Sequence, residues 1–279
     1  MMALRWAKRL GLNADSPARA GLSGLTRVGG LLLVLCLGTL AWAVDLRYAP
    51  FPPGKWPPAC PLKALENTAP TTGYRFQPKG ASIRLDIDED ADGNLQAQLV
   101  RSANGQPLSA RYALTGSTLG FDGAFSAELS PDGRPDLLIV QRSGGAGLAA
   151  GYAWLTVFVS QGDRYVVSSI ESYDPAPHDW LKPGRAKHCQ LIQTTPIWTD
   201  ATRDGRAHSF WVYQLLDFAH GQPRYVNQAR AGFPLWVDYR YKASHRATRK
   251  LSAQQKQAAW AKRDFGHIGP AKPAATPLP

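Results

Sequence analysis

Glycine and proline interrupt this chain too often for it to fold as a helical protein. The sequence carries 26 glycines and 22 prolines in 279 residues. Proline inside a helix removes a hydrogen bond and clashes with the preceding turn, and glycine there costs backbone entropy. Between the interruptions lie short apolar runs rich in aromatic and β-branched residues, such as YAWLTVFV at 152–159 and SFWVYQLLDF at 209–218. That composition suits strands on a packed surface. With 44% hydrophobic residues, including 9 Trp, 10 Tyr and 9 Phe, the chain has ample material for a core, which excludes disorder of the whole.

Residues 82–88 alternate, with Ile83, Leu85 and Ile87 on one face and Arg84, Asp86 and Asp88 on the other. Residues 94–100 repeat the alternation through Leu95, Ala97 and Leu99, so the two segments predict a hairpin around an acidic turn. Further strands are expected at 111–114, 136–141, 152–160, 164–172, 190–197, 209–218 and 235–241, separated by turn signals such as Gln161-Gly162-Asp163. The expected fold is mainly β: a single antiparallel sandwich or curved meander of about ten strands. An N-terminal membrane helix and a short C-terminal helix complete it. The second follows from Ser252-Ala-Gln-Gln255, a capping-box pattern.

The net charge of +11 resembles that of a nucleic-acid binder until it is located. Residues 1–43 contribute +4 and residues 242–279 contribute +7, so the segment between them is neutral, with 19 basic and 19 acidic residues. A nucleic-acid reader carries its cations on the docking surface among stacking aromatics, and no nucleic-acid partner is expected here. The first +4 precedes VGGLLLVLCLGTLAWAV at 28–44, 17 residues without a charge. A basic flank followed by an apolar run directs export. Ala41-Trp42-Ala43 fits a cleavage site, yet the run can also just span a bilayer as an uncleaved anchor, and both outcomes stay open. The expected organisation is a basic cytoplasmic region (1–27), a signal or anchor helix (28–44), a Pro-rich linker (45–70), a β-rich domain (71–245), a basic helix (246–268) and a disordered tail (269–279). The domain is then periplasmic, or anchored to the inner membrane on its outer side, with the membrane contacted through the N-terminal helix.

Of three cysteines, Cys36 lies in the apolar run, leaving Cys60 and Cys189 in the exported part. In an oxidising compartment two such cysteines form one disulfide, and a Cys60–Cys189 bond is predicted.

One acidic pattern recurs. Asp88-Glu-Asp90-Ala-Asp92-Gly93 has oxygen ligands at positions one, three and five before a glycine, the spacing by which a tight loop curls carboxylates around a hard cation. Glu128-Leu-Ser130-Pro-Asp132-Gly133-Arg-Pro-Asp136 and Asp200-Ala-Thr202-Arg-Asp204-Gly205-Arg-Ala-His208 repeat the frame, and all three lead into apolar strands. The frame resembles the calcium loops of FG-GAP/VCBS-type repeats, with DGRPDLLIV at 132–140 the best single match. The resemblance implies calcium as cofactor, held by Asp88, Asp90 and Asp92 in the first loop, Asp132 and Asp136 in the second, and Asp200 and Asp204 in the third. It also implies a role in adhesion or protein binding. The chain departs from the pattern at Gln96, Ser130, Thr202 and His208, and too few strands are readable for a complete propeller.

No nucleophile elbow, metal-binding helix or phosphate-binding loop is present in the sequence; the glycine stretch at 143–151 has no Walker lysine and leads into a strand. The six histidines are scattered singly, His178-Asp179 being the most suggestive of catalysis. The expected function is therefore a non-enzymatic, exported binding domain for a protein or polysaccharide outside the cytoplasm. A periplasmic hydrolase with an Asp/His loop site, and a membrane-held inhibitor or immunity protein, are the alternatives.

Overall fold

The computed structural model describes residues 50–51, 54–69, 73–115, 121–182, 188–227, 232–238 and 246–274. The apolar run at 28–44 lies outside them, and among the described residues no helix is long and apolar enough to cross a membrane. Two short strands, β1 (Lys63–Ala64) and β2 (Tyr74–Phe76), precede the hairpin of β3 (Ile83–Glu89) and β4 (Leu95–Arg101), then β5 (Tyr112–Ala113). A meander follows: β6 (Phe121–Ala127), β7 (Asp136–Arg142), β8 (Tyr152–Gln161) and β9 (Arg164–Tyr173). After β10 (Trp180–Leu181) come the long hairpin of β11 (Gln190–Thr199) and β12 (His208–Asp217), then β13 (Arg224–Tyr225) and β14 (Leu235–Asp238). Helix α1 (Ala253–Ala261) and β15 (Ile268–Pro270) complete the elements.

These strands form three antiparallel sheets rather than the two of a single sandwich. One has the order β1-β6-β7-β8-β9-β15, a second β2-β3-β4-β5, and a third β10-β11-β12-β13 with β14 also on β12. The six-stranded sheet is the middle layer. Leu138, Val140, Leu155, Val157 and Ile170 on one face pack against Leu191, Leu216 and Phe218 of the third sheet. Leu137, Ile139, Phe158 and Val167 on the other pack against Leu85, Ile87, Ala97 and Leu99 of the second. Burial on both faces explains why DLLIV in β7 shows no alternation, whereas β3, in an outer sheet, shows it in full. Strand β5 falls within the expected 111–114. The strands not expected are β6, whose seven residues are interrupted by Gly123 and a register shift, and two- and three-residue pieces such as β1, β2 and β10, too short to carry a periodic signal.

Cys60 and Cys189 are bonded, and both are buried between the middle and third sheets. The described part of the Pro-rich segment is therefore not a spacer but part of the packed body. Cys60 N–H donates to Trp180 O (2.8 Å), Lys182 N–H donates to Pro58 O (2.8 Å), and β1 joins the sheet edge beside β6. Proline excludes helix and central strand but is compatible with an edge segment.

The C-terminal elements carry a second correction. The Ser252 capping box forms, with the Gln255 amide donating to Ser252 Oγ (3.2 Å) and the Ser252 amide to Gln255 Oε1 (2.8 Å), but α1 ends at Ala261. Residues 269–274, expected to be disordered, are ordered by pairing. Ile268–Pro270 join β9, Ala271 is buried against the second sheet, and Ala113 N–H donates to Lys272 O (3.0 Å). A Pro/Ala composition lacks large side chains, but backbone pairing needs none.

Candidate functional site

The three acidic turns lie in three different sheets: β3–β4 in the second, β6–β7 in the middle one and β11–β12 in the third. They do not assemble one site. In the first, Asp90 accepts the amides of Asp92 (3.0 Å) and Asn94 (2.8 Å) and the Gln96 side chain (3.0 Å). These donors, the Asn94 amide foremost, hold its carboxyl below the usual range. Asp88 pairs with Arg75 (2.7 Å), Asp86 with Arg84 (2.6 Å), and Asp92 is exposed at the tip. Arginines on β2 and β3 thus supply the positive charge that a run of carboxylates requires.

The second and third turns share one geometry. The hydroxyl of Ser130 donates to Asp132 (3.0 Å) and that of Thr202 to Asp204 (2.7 Å). Asp132 then accepts the Arg134 amide (3.0 Å), and Asp204 the Arg206 amide (3.2 Å). Their ninth positions diverge. Asp136 is fully buried and accepts the amides of Leu129 (2.7 Å), Ser130 (2.7 Å) and Ser160 (2.6 Å), so it clamps the turn to β8. Burial, opposed by these donors, pushes its pKa up to about 6. His208 instead bridges Asp204 (2.9 Å) and Asp238 (3.5 Å), with Lys250 at 3.0 Å from Asp238. The Thr202 hydroxyl first, and then His208, hold Asp204 well below the ordinary carboxylate range. Asp200 is exposed.

The carboxylates of the proposed ligand set are thus largely engaged with their own turns, and calcium would have to displace those donors. Among the described residues no group of three or more His, Cys, Asp or Glu is placed to hold a metal ion. Thermal melts in millimolar calcium and in chelator decide between the two roles. A rise of several degrees with calcium shows a bound ion, because a ligand that binds only the native state must raise stability, and coincident melts leave the carboxylates to their turns.

His178 Nε2 lies 3.9 Å from Asp179 Oδ1. Asp179 also accepts the Ala176 amide (2.8 Å), capping a short 3-10 turn, and the His178 ring packs edge-on against Trp56 (5.5 Å).

A cleft of about 580 Å³ lies between the far end of β11, α1 and the glycine-rich turn before β8. Its lining includes Leu148, Tyr152, Tyr173, Trp198, Trp211 and Phe265. Trp198 (71% exposed) and Leu148 (65%) are the large exposed hydrophobic side chains among the described residues, and both line this cleft. Tyr173, Trp180, Trp211 and Trp236 are buried, and Trp154 is half-buried.

Each wall has a local cause. Leu148 sits on the 3-10 turn Gly147–Gly151, and the Tyr173 hydroxyl donates to its carbonyl (2.8 Å). Gly151 lies against the Tyr173 ring, where a Cβ would overlap the ring atoms. On the other side the chain leaving α1 crosses β11 at Gly266, where a Cβ would collide with the Thr195 hydroxyl. Gln193 Nε2 donates to Gly266 O (3.1 Å), and Tyr225, its pKa pushed up to about 12 chiefly by burial, donates to Gln193 Oε1 (2.9 Å). Phe265 is thereby brought onto Tyr152, ring centroids 4.5 Å apart.

Among the described residues β10 pairs with Gln190 and Leu191 of β11, and no strand pairs with that edge farther along. Thr194 N–H points to that edge and is taken by Ser172 Oγ (3.1 Å). By the two-residue period Pro196 faces the same way, where it forfeits no ladder bond, and Trp198 follows it. Sequence reading misses Trp198 because IWT at the end of a strand looks like core, whereas its side chain stands in water. Compared with family models, with curated proteins and with solved structures, the chain matches none.

Proposed function

We propose that this chain is an exported, non-enzymatic β-rich binding domain that takes a protein or polysaccharide partner outside the cytoplasm at the cleft between β11 and α1. One observation carries the reading: Trp198 and Leu148, the large apolar side chains left in water among the described residues, flank the same concavity. Exposed apolar groups gathered at a concave site mark recognition, and aromatic side chains supply contact area at low entropic cost. The disulfide supports an oxidising compartment. The three acidic turns are distributed over three sheets rather than gathered at the cleft.

Glycan and peptide arrays probed with the full chain and with a Trp198→Ala, Leu148→Ala variant test this reading. Features bound by the wild type are expected to lose most of their signal in the variant, whose melting temperature stays unchanged because both positions are exposed. Equal signals from the two proteins would place recognition elsewhere and end the proposal.

A further inference from the structure

Strand β11 ends in backbone that its own sheet leaves unused. Antiparallel pairing engages the main chain of alternate residues, and the others point to the opposite side. Thr194 belongs to the second set, since its N–H goes to Ser172 Oγ (3.1 Å) rather than to Tyr213, its partner in the register with β12. By the same period Pro196 and Trp198 belong to it too. Up to Thr194 that edge is held by β9, because Gln193 Nε2 also donates to Glu171 O (2.7 Å). Past Thr194 it runs into the cleft, whose lining includes Pro196, Ile197, Trp198 and Thr199. Pro196 O, Trp198 N–H and Trp198 O follow one another there, and among the described residues none of the three makes a hydrogen bond. Such a row is the template on which another extended chain pairs.

Building on the cleft as the binding seat, we propose that its occupant is an extended polypeptide segment, added to the edge of β11 as a further strand. The segment donates amides to Pro196 O and Trp198 O and accepts from Trp198 N–H. Pro196 has no N–H, so one carbonyl of the newcomer stays without a donor, and an edge proline of this kind keeps indiscriminate pairing weak. Side chains of neighbouring strands meet on a shared face, so an aromatic or β-branched residue beside Trp198 packs on the indole. Opposite charges balance along the lining, Lys262 and Arg263 against Asp200 and Asp264, and select no net charge in the segment. A sugar chain offers hydroxyls without a strand's alternation of amide and carbonyl, and that alternation is what the row matches.

Linear dodecapeptides displayed on phage, panned in non-ionic detergent on the full chain and on its Trp198→Ala, Leu148→Ala variant, supply the probe. The enriched sequence is then titrated as a fluorescein-labelled peptide by anisotropy. Methylating one peptide nitrogen at a time is expected to weaken binding about tenfold at alternate positions and to change it little between them, since only every second amide faces β11. Trp198→Ala weakens binding about tenfold, and salt changes it little. Pro196→Ala supplies the missing N–H and strengthens binding about threefold or more, a gain that side-chain contact alone does not provide. Methylation losses without alternation and no gain in Pro196→Ala, for a peptide the double variant fails to hold, would overturn the added strand while leaving the cleft in place. Peptides held equally by the wild type and the double variant would remove both this inference and the cleft reading. No enriched peptide would end the inference, and glycan signals lost in the double variant would then give the cleft to a sugar.

Discussion

Asp136→Ala lowers the unfolding free energy by on the order of 4 kcal/mol or more, the largest effect expected of any carboxylate in the molecule. The side chain is fully buried and holds the amides of Leu129, Ser130 and Ser160. Alanine leaves three donors without acceptors, at roughly 1–3 kcal/mol each. Asp136→Asn retains one carbonyl but turns an N–H₂ group toward amide donors, so it recovers only part of the loss. Urea unfolding of the oxidised protein measures this, and an alanine variant within about 0.5 kcal/mol of wild type would dismiss the clamp.

A pH dependence accompanies it. The folded pKa of Asp136, about 6, lies above the ordinary value of about 3.9 in an unfolded chain. Its contribution is therefore fully present below pH ~4 and is lost as pH rises through ~6. Asp90, Asp132 and Asp217 are shifted downward, so their contributions are present above pH ~4 and lost below it. The difference between wild type and Asp136→Asn should consequently vary between pH 4 and 6 and be flat above it. A difference independent of pH across that window would refute the raised pKa.

The Cys60→Ser/Cys189→Ser protein is expected to lose on the order of 4 to 5 kcal/mol, because the bond closes a loop spanning 129 residues in the unfolded chain. Two polar hydroxyls would also replace sulfur in the contact between the middle and third sheets. The same urea experiment on the serine variant reads the loss. A midpoint matching that of the oxidised wild type would mean that packing of the Pro-rich segment, through β1 and the bonds around Trp180, suffices without the bond.

Much of this architecture is written locally. Alternation at 83–87 and 95–99 reports a half-solvated hairpin, and the DG turns mark the reversals. The third layer is not written locally, because the unbroken run at Leu137–Val140 says that a strand is buried but not that two different sheets bury it. Asp136 stands out in the sequence as a ninth-position carboxylate. Its role depends on Ser160, 24 residues away on another strand, which no motif spacing contains. The same holds for Asp88 and Arg75, whose pairing is a matter of strand register. Trp198 is the reverse case: an aromatic in an apolar strand end that reads as core and stands in water.

The crossing at Gly266 and the residues after it touch every layer. Gly266 sits on β11 of the third sheet, Ile268–Pro270 extend the middle one, and Pro273 bridges to Tyr112 of the second. During synthesis these residues leave the ribosome after all three sheets they join. Until they do, the three layers lack this fastening, so the stack is closed last by a segment that contributes backbone pairing rather than large side chains.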